Sequence, residues 1–552
     1  MRWPSSVMAL ALAVAACGDN PVVTLVDSAG DRLADAVNPN TMWAALEFLS
    51  HDALEGRAPG TRGGELAALY IAAEFRRLGL EPAGDNGSFF HQIPVISLTP
   101  TPVVSLTRPG RRAERLRYRE DFVLWSMLDE PSVAAQGEIV FVGYGIVAPE
   151  YQWNDYVDVD VTGKVVLVLV NDPGLVDTTL FRGEALTYYG RWTYKIEEAA
   201  RHGAAGILLV HTPESATYGW GTVAGSWTGP QVRLESSPTS LQVAGWLSEE
   251  VAARLLEPIG SSVGEVLVTA ARGDFSSAPL EARAVTTISS TIERSTTVNV
   301  VARLTGWGSD PDETVLIGGH YDHLGIGMPV GGDSIYNGAV DNASGTAAVI
   351  TAAEAFVTSG VRPDRSILFM AFGAEESGLL GSKAFVTRPP PPMALRDLAA
   401  VFNLDEMNLY GITADVSALG IDQSSLGDNF AAAARIEGLD VSVNRDAILK
   451  GYFFRSDHFP FVLAGIPSLS LQFGQHYVSR DPGWGSQVEA EYGTTRYHQP
   501  GDELLTWYTT DGAVQQLRVV LRAALRVAEA SQPPTWVEGS EFKAAGDARL
   551  QP

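Results

Sequence analysis

Apolar positions recur at helical spacing from Met42 onward, with Trp43, Leu46 and Leu49 on one face, and again over residues 64–78 through Leu66, Tyr70, Ala73 and Leu78. Between these two predicted helices lies the Gly/Pro/Arg turn Glu55-Gly56-Arg57-Ala58-Pro59-Gly60. Short strand-like runs follow to about Leu128. Near Gly137 the texture changes: residues 138–142, 164–170 and 206–210 are continuous apolar runs bounded by glycines, and a helix containing Ala199 and Ala200 precedes the last of them. From Val285 strands and helices alternate. Residues 298–304, 315–317, 366–372, 399–404 and 465–471 read as strands, and 346–356 as a helix. Alternation of this kind predicts an α/β fold built on a mostly parallel mixed sheet flanked by helices. Ligands of such sheets bind beyond the carboxyl ends of the strands.

The N-terminus breaks from this pattern. Arg2 supplies a positive start, residues 7–16 are apolar or small, and the run ends in Val14-Ala15-Ala16-Cys17. About ten residues span half a bilayer as a helix, so the run predicts a signal-peptide core rather than a membrane anchor. The last four residues resemble a bacterial lipobox, which implies that Cys17, the single cysteine of the chain, is lipidated after cleavage. Residues 1–17 are therefore read as a lipoprotein signal peptide and 18–40 as a polar tether. The expectation is an exported protein, anchored by lipid and facing the periplasm or cell surface, or secreted if Cys17 is incidental. One cysteine excludes an intramolecular disulfide framework.

The 552 residues exceed one ordinary core and predict at least two domains. Hydrophobic content of 45% with 19% charged residues is that of a globular chain. A formal net charge of -26 excludes a nucleic-acid partner, because phosphate backbones repel such a surface.

Candidate chemistry falls at the strand ends. In "VLIGGHYDHLG" an apolar strand runs into His320, and Asp322 follows on the same side, where it can orient the imidazole of a metal ligand. In "NGAVDNASGTAAVI" Asp341 precedes an alanine-rich helix, where a carboxylate can bridge two cations or simply cap the helix. In "ILFMAFGAEESGLLGS" a hydrophobic strand leads to Glu375-Glu376. Adjacent glutamates repel unless cations are near, and one can then ligate metal while the other takes a proton from the attacking water. "VFNLDEMNLYG" ends a further strand at Asp405, and "TTRYHQPGDEL" places His498 in a turn-rich loop.

These segments together resemble the co-catalytic dizinc aminopeptidases, relatives of glutamate carboxypeptidase and of the non-catalytic transferrin receptor. The likeness includes the N-terminal "LEGRAPGT" segment. Residues 137–275, through "GYGIVAPEY", "VTGKVVLVLVNDPG" and "EEAARHGAAGILLVH", resemble an inserted protease-associated domain. The resemblance implies a zinc exopeptidase fold: 41–136 as the N-terminal part of the peptidase domain, 276–530 as its catalytic part, and 531–552 as a C-terminal tail. It implies two zinc ions bridged by Asp341, one completed by His320 and Asp405 and the other by Glu376 and His498. Glu375 matches the general base, Asp322 the partner of His320, and Tyr497 a tyrosine that stabilises the oxyanion. Asp341-Asn342 matches a cis peptide bond of relatives. Three carboxylates and two imidazoles carry about −3 against +4 from the ions, which suits activation of a water. Ser456 and Asp457, in "RSDHFPF", are expected at or behind the pocket, and Tyr452, Phe453 and Phe454 either line it or pack in the core. His323 is expected nearby without a ligand role. His51, His91, His202, His211 and His476 are expected to be structural or superficial.

The implied activity is zinc-dependent removal of N-terminal residues from peptides. Carboxypeptidase or dipeptidase action on the same centre is the alternative, and would need a cationic clamp such as Arg445 or Arg455 for the substrate carboxylate. A non-catalytic binding protein is the alternative of another class. Neither oligomeric state nor side-chain preference is legible.

Overall fold

Four apolar runs become neighbouring parallel strands. Thr314–His320 lies between Ser366–Phe372 and Leu398–Asn403, and the latter pairs onward with Ser468–Gln472. Every side chain of the first three is buried, because helices cover both sheet faces, and this explains continuous apolar runs in place of alternation. Val315, Ile317, Ile367 and Phe369 face the helices Pro39–Leu49, Arg62–Arg77, Gly345–Ser359 and Asp511–Glu529. Leu316, Leu368, Met370 and Phe372 face Phe385 and Phe461 on the other side. Antiparallel strands flank the parallel core, Asp415–Leu419 on one side and Ala278–Leu304 on the other. This is the expected mixed α/β sheet. The computed structural model describes residues 21–235, 239–308 and 311–550.

Ala278–Leu304, 27 residues long, joins two units into one sheet. It pairs with Phe90–Thr107 over most of its length and with Ser132–Phe141 near its start. Beyond Ser132–Phe141 come Val165–Leu169, Gly206–Val210 and Val243–Leu247, all parallel, closed by antiparallel Phe122–Ser126. The second unit therefore starts earlier than the expected boundary at 137. Phe122, Val123 and Leu124 are fully buried against it, so the strand belongs to its core although it precedes the glycine-rich change of texture.

Two expectations at the chain ends are corrected. The tether over 18–40 is largely helical, with Pro21–Asp35 continuing into Pro39–Leu49 after a short break. Asp27, Asp31 and Asp35, four residues apart, pair with Arg526, Arg522 and Arg518 at 3.5, 2.8 and 3.6 Å, while Leu33 is buried in the main core. Matched i, i+4 charges on two helices hold this segment down. The tail over 531–552 is also docked: the Trp536 indole donates to the Gly465 carbonyl at 3.0 Å, and Arg549 of the helix Lys543–Arg549 donates to the carbonyls of Leu395 and Leu398 at 3.1 Å. The signal peptide and Cys17 lie outside the described residues. Among the described residues no helix is long and apolar enough to cross a membrane.

The docked tail carries a titratable group. Burial pushes the Glu541 carboxyl up to about 8, with Glu150 and Asp172 adding to the effect and Arg182 opposing it. Its Oε2 has no hydrogen-bond partner. The folded chain thus holds a proton that the unfolded chain releases near the ordinary carboxyl value. Stability from this group is complete below that value and is lost as pH rises towards 8. Glu541→Gln is expected to flatten the fall in melting temperature between pH 5 and pH 8. An unchanged slope in the variant would show that Glu541 does not titrate in that window.

Candidate metal centre

A common cleft is lined by His320 at a strand end, Glu375 and Asp405 just beyond two others, Asp341 in the turn that opens the helix Gly345–Ser359, and Tyr497 and His498 in the loop after the helix Trp484–Thr495. The close approach of these ends depends on glycine. A Cβ on Gly319 or Gly345 would meet the Leu404 carbonyl oxygen at 2.5 or 2.2 Å, so Asp405 could not come alongside His320 and Asp341. Asn342 ties the same junction, donating to the Leu404 carbonyl at 2.9 Å and accepting from the Glu406 amide at 3.1 Å. The Asp341-Asn342 peptide bond is cis.

Asp341 stands between two imidazoles. Its Oδ1 is 3.2 Å from His320 Nε2, which is itself 3.3 Å from Asp405 Oδ1. Its Oδ2 is 3.2 Å from His498 Nε2, which is 3.1 Å from Glu376 Oε2. Neighbouring ligands of a tetrahedral zinc with bonds of ~2.0–2.1 Å are about 3.3 Å apart. The five side chains implied by the resemblance therefore form two runs that meet at Asp341, Asp405–His320–Asp341 and Glu376–His498–Asp341, with neighbouring atoms 3.1–3.3 Å apart, close to the ligand spacing of zinc. The donor chemistry fits as well: Asp322, Asp341, Glu376 and Asp502 crowd one buried region, and each acts on the single buried guanidinium of Arg57. Such a set calls for further cations.

The adjacent glutamates are held in opposite states. Burial pushes Glu375 well above the usual carboxyl range; His320 opposes this, while Glu376, Asp457 and Asp405 add to it. Burial acts the same way on Glu376, but His498 and His323 outweigh it and the carboxyl falls to about 2.

The supporting residues differ in detail from the expected pattern. His320 Nδ1 meets the main-chain carbonyl of Asp322 at 3.2 Å, and the Asp322 carboxylate, at 3.9 Å, is beyond hydrogen-bond reach of it. That carboxylate instead accepts the backbone amides of Glu375 at 3.0 Å and Glu376 at 3.4 Å, fixing the turn that carries both glutamates. Ser456 donates to Asp405 Oδ2 and is itself held by Asn403 Nδ2 at 2.7 Å. Asp457 is fully buried, accepts from Ser382, and does not line the cleft. Tyr497 stacks on His498 with ring centroids 3.9 Å apart. Tyr452 lines the cleft, whereas Phe453 and Phe454 line an adjoining apolar cavity across Leu419. His323 is closer to the centre than expected, with Nδ1 2.7 Å from Glu376 Oε1. Arg445 pairs with Glu184 at 3.0 Å, away from the cleft, whereas Arg455 lines it. His51, His91, His202, His211 and His476 do not line it.

Two residues not anticipated from sequence complete the support. The Asp502 carboxylate accepts the amides of Val340 at 3.0 Å and Asp341 at 3.1 Å, clamping the turn that presents Asp341. Its position four residues after His498 was the available signal. Arg57 is fully buried and donates to the carbonyls of Tyr321, Leu49, Asn337 and Gly338, so the "LEGRAPGT" segment grips two of the loops that form the centre.

The sequence pattern of Peptidase family M28 matches residues 299–523. Leupeptin-inactivating enzyme 1 of Streptomyces exfoliatus is 30% identical over 237 residues, 42% of this chain and 49% of its own length. Aminopeptidase YwaD of Bacillus subtilis is 29% identical over 196 residues, 35% of this chain and 36% of its own. The chain thus spans about half or less of the length of these relatives. The solved aminopeptidase from Aneurinibacillus sp. strain AM-1 aligns with 91% of this chain and 96% of its own at 18% identity and a TM-score of 0.48. The segment that resembles peptidase family M28 contains His320, Asp341, Glu376, Asp405 and His498 together with Glu375 and Asp502.

Proposed function

We propose that the protein is a zinc-dependent aminopeptidase acting on peptides, with two ions in the cleft. The observation that carries the reading is the pair of close His/carboxylate runs that meet at Asp341, with Glu375 beside them in the same cleft. His320, Asp341 and Asp405 would hold one ion, and Asp341, Glu376 and His498 the other, with His323 steadying the second oxygen of Glu376. Zinc bound there polarises a carbonyl and lowers the pKa of water towards ~7.

The chain's own groups supply the rest. The Glu375 carboxylate accepts the proton of the attacking water and returns it to the leaving amine. The Tyr497 phenol, on the cleft wall, donates to the oxygen that gains charge. Glu406 and Glu489 also line the cleft; the carboxylate of Glu406 has no hydrogen-bond partner among the described residues, and suits the ammonium group of a free N-terminus. These acidic side chains favour an unblocked N-terminus over an acylated one.

Removal of metal by chelation is expected to reduce hydrolysis of aminoacyl anilides at least tenfold, and added zinc to restore it, while N-acetylated anilides stay uncleaved. Turnover that persists in metal-free protein, or equal cleavage of the acetylated compounds, would reject the reading. We also retain export through residues 1–17, a lipid anchor at Cys17 facing the periplasm or cell surface, and a protease-associated character for the second unit. The apolar run, the Val-Ala-Ala-Cys segment and the quoted strand motifs support these three.

A further inference from the structure

Arg455 lines the metal cleft together with His320, Glu375 and His498. It packs over the Tyr452 ring at 5.2 Å and donates to the Lys450 carbonyl at 2.7 Å and to Thr217 Oγ1 at 3.4 Å. Its buried Nε has no partner, and among the described residues it forms no ion pair. Arg191, from the second unit, is near enough for the charge of Arg455 to act on it. Burial and the charge of Arg455 both act against the Arg191 cation, and the phenols of Tyr218 and Tyr188 favour it. Tyr218 in turn feels both guanidinium groups. Arg191 Nε is likewise buried without a partner.

Several other partly buried arginines are paired with carboxylates. Arg365 is paired with Glu313, Arg496 with Glu491, and Arg522 with Glu437 and Asp31. In an acidic chain of net charge -26, two neighbouring guanidinium groups without a carboxylate are conspicuous. Arg191 also caps the N-terminus of the helix Trp192–Arg201, whose first turn has no acidic residue. The helix dipole adds positive potential at that point. Lys383 lies near Arg191 but is balanced by Glu197, Asp457 and Glu375. Two like charges and a helix N-terminus require an anion from outside.

Both signs of charge thus line the cleft, Glu406 and Glu489 as well as Arg455. A free peptide carries the complementary pair, an ammonium at one end and a carboxylate at the other. Both sets of charges line the one cleft that holds the candidate metal centre, so a single short peptide can meet both. We propose that Arg455, backed by Arg191, binds the free C-terminal carboxylate of a short peptide whose N-terminal residue lies at the metal centre, so that di- and tripeptides are the preferred substrates. This rests on the aminopeptidase reading and names its substrate class.

The test compares Leu-Gly-Gly, its C-terminal amide and Leu-Asp-amide as substrates of the zinc-loaded full chain. The free acid is expected to exceed its amide in kcat/KM by roughly ten- to a hundredfold, mainly through KM. Arg455→Gln and Arg191→Gln should each reduce that ratio to about threefold or less, with Arg455→Lys intermediate. The ratio is insensitive to any loss of turnover common to both peptides, and Arg455→Gln alone decides the matter if Arg191→Gln does not fold. A wild-type ratio near one, or an unchanged ratio in Arg455→Gln, would overturn the proposal while leaving the aminopeptidase reading intact. Rescue of the amide by the aspartate side chain would also overturn it, by assigning the site to an acidic side chain. Calorimetric binding of the acid and the amide to Glu375→Gln reads the site without turnover. Preferential binding of the acid there, with no cleavage by wild-type protein, would support the anion site and overturn the aminopeptidase reading.

Discussion

Glu375→Gln is expected to keep its zinc and lose about 10²- to 10⁴-fold in kcat, the range that a positioned general base supplies. The substitution preserves shape, and the backbone amide at this position still donates to Asp322 at 3.0 Å, so the turn carrying Glu376 stays in place. What disappears is the carboxylate that takes a proton from water and passes it to the departing amine. Glu376 cannot replace it, because both its oxygens are engaged, one beside His498 at 3.1 Å and the other beside His323 at 2.7 Å. Elemental analysis for zinc and initial rates on leucine anilide measure the two halves separately. Full zinc occupancy with turnover within tenfold of wild type would remove Glu375 from the chemistry. Loss of zinc along with activity would mean that the residue acts as a ligand.

The same pair of glutamates shows why the centre was legible before any coordinates. Ser366–Phe372 is a run of seven buried residues followed by two adjacent acids, and a buried strand cannot end in such a pair without a reason. His320 and Asp405 stand out for the same cause, each ending or following a buried strand, whereas Asp341 precedes an alanine-rich helix and His498 sits in a turn-rich loop after the helix Trp484–Thr495. Asp502 and Arg57 were not legible. Both act through the backbone, clamping amides or carbonyls contributed by distant segments, and one-dimensional spacing carries no trace of which carbonyl a guanidinium will find. Asp322 was placed correctly and assigned the wrong partner, because the direction of its carboxylate is set by the fold of the glutamate turn. The helix Pro21–Asp35 is a different case. Its aspartates at i, i+4 and the arginines of Asp511–Glu529 at the same interval are visible in the sequence, and matching them would have predicted a docked helix where polar composition suggested a tether. The boundary near 122 was hidden because an edge strand of the second unit reads like any other short apolar run.

Arg57→Met is expected to weaken zinc binding by about ten- to a hundredfold and to lower the melting temperature by several degrees, although Arg57 is not among the residues lining the cleft. Its guanidinium is fully buried and bonds four backbone carbonyls. Tyr321, whose carbonyl is held at 2.7 Å, lies between His320 and Asp322; Asn337 and Gly338, held at 2.5 and 3.0 Å, lead into the Asp341 turn. One planar cation thus sets the spacing between two loops that must present ligands about 3.3 Å apart. It also supplies positive charge among Asp322, Asp502, Asp341 and Glu376; burial pulls it down to about 10, still far above neutrality, so the charge is permanent. Methionine fills the volume but leaves the carbonyls without donors and the acids without their protein counter-ion, a loss of roughly 3–5 kcal/mol for a broken buried pair. Groups that orient metal ligands from behind affect metal affinity on the scale given above. Arg57→Lys separates the two effects. It restores the charge without the fork, so it should recover stability more fully than zinc affinity. Competition for zinc against a chromogenic chelator, with a parallel thermal melt, gives both quantities. Wild-type affinity in Arg57→Met would show that the loops hold their spacing without it, and equal recovery of both quantities in Arg57→Lys would show that charge alone is what the centre requires.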